Sequence, residues 1–503
     1  MNSSPLFSAL ARSEQSHSSK TAVFWDSSEW TYRNLLDQAG AVGQILTDRH
    51  DVQPGDRVAL WVRNRPEFIT SLFGILRCGA VAVPINNFLK PDEVEFILND
   101  GGISVLITET DQKDAATLLQ SRRPGLGVLE VESLPAKEVR PSNLPAPVQR
   151  ESQDLAVVIY TSGTTGRPKG AMLTHGNLSH NVESCRAMLE AVDGDRFILL
   201  LPMFHSFMLC VCIFLPLRVG GSILLIGGVH HPRQIMSEIC AKRGTILPAI
   251  PQLFRALTHQ AELPADFPLR LCVSGAAPLP AEILREFDRK FPIPLIEGYG
   301  LSEASPVVSL NPIRGVRKPG SIGIPIPHVE VSIQDDDGRH LDIGAVGEIC
   351  VRGGNVMAGY WNRAEETAQC IRQGWLLTGD VGYRDADGYY FITDRKKDML
   401  LVNGINVYPR EIEEIIYQIP GIKEAAVIGV PDVRKGEQPV AYVALTDGVT
   451  GDEKAILHHI RAHLADYKIP KKVVFKTALP RNATGKILKT ALREEYKVAS
   501  HPA

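Results

Sequence analysis

Residues 155–170 read LAVVIYTSGTTGRPKG, and the junction at the centre of this stretch organises what surrounds it. Residues 155–160 are apolar or aromatic and rich in β-branched types, the composition of a strand buried on both faces. Thr161 to Gly170 then brings four hydroxyls, three glycines and two cations. Glycines such as Gly163 and Gly166 let backbone N–H groups approach an anion, and Thr161, Ser162, Thr164 and Thr165 add hydroxyl donors. Lys169 supplies charge. A surface loop draws on the same residue types, but a buried strand feeding it is the setting of a phosphate site. The loop is not of the G-x-x-x-x-G-K-[ST] kind, and Pro168 keeps Lys169 from opening a helix in the usual way. No G-x-G-x-x-G fingerprint occurs anywhere in the chain.

Working outward, residues 57–108 alternate strand-like runs (57–62, 80–83, 105–107) with a helical pattern over 67–77. That alternation predicts parallel β-α-β units. Residues 120–153 are proline-rich and charged, and they predict a long surface connection. A second α/β region is expected over 195–310. From 320 to 393, short runs such as 329–333 and 347–352 between turns at Asp337-Gly338 and Asp387-Gly388 predict a small, mainly β module. After Asp394-Arg-Lys-Lys-Asp398 a compact α+β domain is expected, its first helix opened by Pro409 and carrying Ile412, Ile415 and Ile416 on one face. The fold class is therefore α/β: a large N-terminal domain over 1–394, built of two α/β subdomains and a β module, and a small mobile C-terminal domain over 395–503.

The 503 residues suffice for roughly two to four domains. A formal charge of −3 carries no bias toward nucleic acid or an anionic membrane. Eight scattered cysteines form no C-x-x-C pair, so reduced thiols are expected. Residues 197–217 (FILLLPMFHSFMLCVCIFLPL) are apolar enough to suggest a membrane span. Pro202, His205, Ser206 and Pro216 would leave polar groups unsatisfied there, so the reading is a strand over 197–201, a loop and a core helix, with the next strand at 222–226. The polar first twenty residues and the end at His501-Pro502-Ala503 show no signal core and no peroxisomal tail, which leads to the expectation of a cytoplasmic protein.

TSGTTGRPKG closely resembles the signature of the adenylate-forming superfamily, which comprises acyl- and aryl-CoA synthetases, luciferases and peptide-synthetase adenylation domains. Further motifs of that family follow in order: Ser274-Gly-Ala-Ala-Pro278, Gly298-Tyr-Gly-Leu-Ser-Glu303, Thr378-Gly-Asp380, Asp394-Arg-Lys-Lys-Asp398 and Asn482-Ala-Thr-Gly-Lys486. The resemblance is nearest to single-chain fatty-acid–CoA ligases. It implies ATP, Mg²⁺ and coenzyme A as reactants.

What the resemblance implies for residues is specific. Gly275, Ala276, Ala277 and Pro278 form the backbone wall beside adenine, and Tyr299 stacks on the ring, with Gly300 and Ser302 in the same nucleotide-binding loop. Glu303 helps hold Mg²⁺, a task that suits a hard oxygen ligand. Asp380 binds the ribose hydroxyls and Arg395 also reaches the ribose. Lys397 is the hinge at 394–398 about which the C-terminal domain turns between adenylation and thioester formation, and Gly404 lines the path of the thiol. Lys486 is the catalytic lysine that meets the α-phosphate and the attacking carboxylate. His205 stands beside the acyl pocket, where it gates the substrate. Two bland readings stay open: T-G-D is ordinary turn chemistry, and Lys486 lies in a stretch (468–497) with nine Lys or Arg against two Glu.

The expected reaction is carboxylate plus ATP to acyl-AMP and pyrophosphate, followed by transfer of the acyl group to coenzyme A. Phe207, Met208, Val307 and Val308 are expected in the acyl wall, with no cation awaiting a second carboxylate. That favours a fatty or aromatic monocarboxylic acid, although Met208 stands where many fatty-acid members carry glycine, which argues against long chains. Other readings are a stand-alone enzyme loading a carrier protein and a non-catalytic acyl- or nucleotide-binding protein. A serine hydrolase is a third, since Gly300-Leu-Ser-Glu-Ala304 is one residue from a G-x-S-x-G elbow, though Ser305-Pro306 follows where the elbow needs a helix. No nucleic acid, integral membrane segment or structural metal is expected, and a homodimer is left open.

Overall fold

The computed structural model describes residues 5–142, 144–162, 168–228, 231–260, 266–432, 434–482 and 485–500. Gly163, Thr164, Thr165 and Gly166 therefore lie outside the described residues, as does the side chain of Ser162. The strand Leu155–Ser162 forms as its composition dictates, with Ala156 to Ile159 buried. It is followed by the antiparallel strand Pro168–Thr174, in register Tyr160 to Gly170 and Thr161 to Lys169. The strands that flank the glycine-rich segment thus pair antiparallel with each other, and the chain does not pass directly from the first of them into a helix. Only then does a helix begin, His175–Met188. Its N-cap Thr174 accepts from the Asn177 N–H while the Asn177 side chain accepts from Thr174 N–H, both at 3.0 Å.

This hairpin belongs to a seven-stranded sheet, in the order Gly359–Tyr360, Pro168–Thr174, Leu155–Ser162, Val81–Pro84, Arg57–Trp61, Val105–Thr108, Gly127–Glu130. The strands from Leu155–Ser162 onward run parallel, as the β-α-β alternation requires. One expectation fails. The segment over 120–153 contains an edge strand, because Leu126, Leu129 and Val131 are buried although Pro124 and Gly125 just before them punctuate like a loop.

A second, larger sheet is continuous across what the sequence divides into two modules. Its parallel half holds Arg196–Leu199, Ser222–Leu225, Ile246–Ala249, Leu271–Ser274 and Leu295–Gly300. The antiparallel strands Val307–Leu310, Ser321–Pro325, Tyr390–Arg395, Trp375–Arg384, Gly347–Gly353 and Val329–Gln334 extend it. At the opposite edge Thr21–Trp25 pairs parallel with Ser222–Leu225, a register of about 200 residues' separation that local pattern does not reveal. The apolar stretch at 197–217 resolves into the strand Arg196–Leu199, a loop, a π-helical turn Met208–Phe214 and the short helix Leu215–Val219. Among the described residues no helix is long and apolar enough to cross a membrane.

The smaller C-terminal domain has its own sheet, in which Ile422–Asp432 pairs with Gly436–Leu445, and the helices Pro409–Tyr417 and Glu453–His463 pack over it. It docks beside the helix Pro251–Gln260 of the N-terminal domain. That helix is seated by Phe254, fully buried and edge-on to Phe287 at 5.7 Å between centroids. Phe254→Ala should cost about 3–5 kcal/mol through lost burial and the cavity it leaves, read as a lower urea midpoint by circular dichroism.

Candidate active site

A cavity of about 730 Å³ opens where the two sheets of the N-terminal domain and the C-terminal domain meet. Thr161 and Lys169 enter it from the two strands of the hairpin, opposite one another in the ladder. The strand Leu295–Gly300 delivers Gly298, Tyr299 and Gly300, and the short 3₁₀ turn Ser302–Ala304 delivers Ser302 and Glu303. Gly300 is required by close approach: a Cβ there would lie 2.2 Å from the Pro306 carbonyl oxygen. No helix follows this turn, since Ser305 adopts a positive φ of 68°, so the serine-hydrolase elbow is not formed.

Glu303 accepts a hydrogen bond from Tyr360 OH at 2.8 Å and one from Thr161 Oγ1 at 3.5 Å, both on the same oxygen. Its carboxylate is the acidic group in the cavity wall, and the cations around it are Lys169, Arg395, Lys396, Lys397 and Lys486. Lys396 is engaged with Asp336 at 2.6 Å and Glu348 at 3.1 Å. The ring of Tyr360 lies 5.4 Å from Lys169 Nζ, so the same tyrosine that donates to Glu303 also offers its face to the ammonium. A hard-oxygen ligand with one oxygen turned to its neighbours suits Mg²⁺, which takes one or two carboxylates and fills its octahedron with water and phosphate oxygens.

Asp380, from the strand Trp375–Arg384, is only 4% exposed and sits behind this surface. One of its oxygens accepts from Tyr299 OH at 2.6 Å and the other pairs with Arg395 Nε at 3.0 Å. The carboxylate holds the Arg395 guanidinium above its usual pKa, and burial followed by the same carboxylate raises the Tyr299 phenol. Both oxygens expected to meet a ribose are thus in use, each with a lone pair to spare.

Lys486, with Asn482, is the wall residue farthest in sequence from the hairpin. It follows a turn in which Asn482 N–H donates to the Lys486 carbonyl at 2.9 Å and Gly485 N–H donates to the Asn482 carbonyl at 3.0 Å. Burial pushes the Lys486 ammonium down to about 8, with Arg395 adding to the effect and Asp380 opposing it. Lys397 is likewise lowered, first by burial and then by Arg395. His205 lines the cavity as a neutral imidazole, pushed down to about 4 by burial, and its Nδ1 accepts from Phe207 N–H at 3.3 Å. Ser206 Oγ and Ser302 Oγ are 3.1 Å apart beside it.

Of the residues singled out in the sequence, Thr161, Lys169, His205, Gly275, Ala276, Tyr299, Gly300, Ser302, Glu303, Arg395, Lys397 and Lys486 converge on this cavity. Ala276 does so with φ at +64°, a left-handed conformation that a non-glycine residue adopts at a cost. Ala277 and Pro278 continue that wall without reaching the cavity, Pro278 being exposed. Gly404 lies outside it, at the turn between the strands Leu400–Val402 and Ile405–Val407 with φ at +79°. In the expected acyl wall Phe207 and Val307 face the cavity, whereas Met208 and Val308 are turned into the core. Val308 is fully buried in the strand Val307–Leu310, and Met208 is the first residue of the π-helical turn. Tyr360, Ser206 and Asn482 also line the cavity without having been given roles in the sequence. Tyr360 carries no local signal: it sits in the two-residue strand Gly359–Tyr360, placed by pairing with Ala171.

The family profile described as AMP-binding enzyme matches residues 10–361, and that of the AMP-binding enzyme C-terminal domain matches residues 411–486. A long-chain-fatty-acid–CoA ligase of Bacillus subtilis is 35% identical over 535 residues, which cover 99% of this chain and 95% of the relative. A feruloyl-CoA synthase of an Amycolatopsis species is 37% identical over 481 residues, covering 95% of this chain and 96% of the relative. The crystal structure of ATP-bound MatB from Rhodopseudomonas palustris is similar with a TM-score of 0.92 at 34% identity, covering 100% of both chains. With a shared cavity built by both matched parts, and nearly the whole length covered, this chain belongs to the AMP-binding enzyme family.

Proposed function

We propose that this AMP-forming acyl-CoA synthetase acts on a fatty or aromatic monocarboxylic acid, with Lys486 as its catalytic lysine. The observation that carries the reading is the meeting of Lys486, from the C-terminal domain, with Thr161, Lys169 and Glu303 in one cavity. A carboxylate is a poor acyl donor because its oxygen leaves badly. In the first half-reaction the acid's oxygen attacks the α-phosphorus of ATP, an O–P bond forms, and the bond to the β-phosphate oxygen breaks to release pyrophosphate. In the second, the sulfur of coenzyme A attacks the acyl carbon, the C–S bond forms and AMP departs, the thiol proton going to solvent.

The glycine-rich segment and Lys169 are suited to cradle the β- and γ-phosphates, and Lys486 to offset the repulsion as carboxylate and α-phosphate approach. Glu303 would hold Mg²⁺, which supplies further charge neutralisation on the phosphate oxygens. Tyr299 offers an aromatic face beside the Gly275–Ala276 wall for adenine, while Asp380 and Arg395 are the candidates for the ribose. Ser162, Gly163, Thr164, Thr165 and Gly166 complete the phosphate cradle in this reading, with Gly300 and Ser302 beside the nucleotide. The domain division at 394–398 is supported by Arg395 ending a strand of the large sheet while Asp398 pairs with Arg493 of the last helix at 2.7 Å. Lys397 is then the hinge residue, and Gly404 the place where a side chain would obstruct the thiol after the domain turns.

For the acid, the apolar wall residues Phe207, Val273, Leu301, Val307 and Leu310 favour a hydrophobic acyl group. The cations of the wall are concentrated at Lys169, 395–397 and Lys486, where the nucleotide is proposed to lie, so among the described residues none is left for a second carboxylate. His205 is placed to gate this part of the cavity. A cytoplasmic setting is supported by eight free thiols, six of them buried.

Pyrophosphate release across a panel of aliphatic, aromatic and dicarboxylic acids, with coenzyme A or a phosphopantetheinyl carrier protein as acceptor, tests the substrate. Preference for a dicarboxylate would overturn it. Lys486→Ala should slow adenylation about 10²–10³-fold while largely sparing thioester formation from supplied acyl-AMP. Equal loss of both half-reactions would contradict the role. Because burial lowers the Lys486 ammonium to about 8, kcat/KM for ATP in the adenylation half-reaction should fall as pH rises through that value. Lys486→Arg, whose guanidinium keeps its proton, should flatten that alkaline limb even where its absolute rate is lower.

A further inference from the structure

The turn that presents Lys486 is gripped by Arg481, a side chain 21% exposed. One guanidinium nitrogen, Nη2, donates to Glu424 Oε1 at 2.8 Å, and Nη1 donates to the carbonyl of Gly485, the residue adjoining Lys486. Glu424 is itself held, since its other oxygen accepts from Leu479 N–H at 3.0 Å. Across the domain boundary the amide oxygen of Gln252, in the orientation that satisfies its neighbours, accepts from Nη1 and Nη2 at 3.0 and 3.2 Å.

The same helix, Pro251–Gln260, also sends Arg255 to the carbonyls of Lys423 and of Ile422, the latter at 2.6 Å, just before Glu424. Gly485 meets the residue preceding that helix: an added Cβ would lie 2.7 Å from Ile250 Cδ1, and its φ is +80°. Arg481 thus contacts the docked N-terminal domain and the backbone next to Lys486 with one planar group.

We propose that Arg481 is the positioning residue for Lys486, coupling the docking of the C-terminal domain on Gln252 to the placement of the lysine in the cavity. The proposal rests on the adenylation role given to Lys486 above. Three acceptors at different angles require the fork of a guanidinium, and the ammonium of a lysine cannot span them. Arg481 touches none of the reacting groups. Its effect is exerted through the Gly485 carbonyl and is confined to the half-reaction that uses Lys486.

The test is a double-mutant cycle of Arg481→Ala and Lys486→Ala in the full chain, with each half-reaction assayed separately. Arg481→Ala should lower adenylation roughly 10–100-fold at saturating ATP with little change in KM, the size of loss that small misplacements produce. Thioester formation from supplied acyl-AMP, which also reports that the domain is folded, should stay near the wild-type rate. The double variant should be no slower than Lys486→Ala alone, and Arg481→Lys should rescue little. Multiplicative losses in the double variant, equal loss in both half-reactions, or full rescue by lysine would overturn the proposal. A slow Lys486→Ala beside an undiminished Arg481→Ala would overturn this inference alone, whereas an undiminished Lys486→Ala would overturn the reading beneath it.

Discussion

A single buried carboxylate ties the parts of this molecule together. Asp380 joins Tyr299, at the end of the parallel half of the large sheet, to Arg395, the last residue of an antiparallel strand and the first of the interdomain segment. A charge at 4% exposure is tolerated only when it is paired and hydrogen-bonded, so the two strands and the segment that follows Arg395 are held in one arrangement. The cavity floor, the turn that carries Ser302 and Glu303 and the point from which the C-terminal domain departs all take their position from that arrangement. Removing the carboxylate would leave the partly exposed Arg395 guanidinium without the anion it pairs with.

The cavity itself is electrostatically unbalanced in a way that a purely structural site would avoid. Lys169, Arg395, Lys397 and Lys486 face a wall whose lining carboxylate is Glu303, and the pKa values of Lys397 and Lys486 are lowered by burial and by their cationic neighbours. Such a surplus costs stability in the protein alone and is offset when a polyanion enters. The left-handed Ala276 and the close approach at Gly300 are further local costs gathered at the same wall. Charge, strain and crowding concentrated in one place are what a site for a nucleotide triphosphate would require.

Several features of this architecture were invisible to local pattern. The strand Gly127–Glu130 hid behind Pro124 and Gly125, because edge position, not periodicity, decides its pairing. Met208 was expected in the acyl wall but turns inward, since a π-helical turn shifts the face a residue presents relative to the ordinary helical count. Tyr360 reaches Glu303 only because a two-residue strand pairs with the far strand of the phosphate hairpin. Arg481 looked like one more cation in a basic tail, and two of its three partners, Glu424 and Gln252, come from distant parts of the chain.

Sequence by itself determined the chemistry available: hydroxyls, glycines and Lys169 after a buried strand, a tyrosine and a glutamate in one loop, an aspartate in T-G-D, and a lysine far downstream. It also determined the α/β class and the change of character near 394–398, because composition and hydrophobic period are local properties that propensity and burial read directly. Tertiary structure alone decided which of these residues meet, that the strands on either side of the glycine-rich segment pair antiparallel, and that Asp380 is engaged by Tyr299 and Arg395. It also decided that Lys486 faces the cavity in this domain arrangement. The reason is physical: pairing between strands and docking between domains depend on backbone hydrogen bonds and surface fit across hundreds of residues, and these leave no periodic trace in the chain.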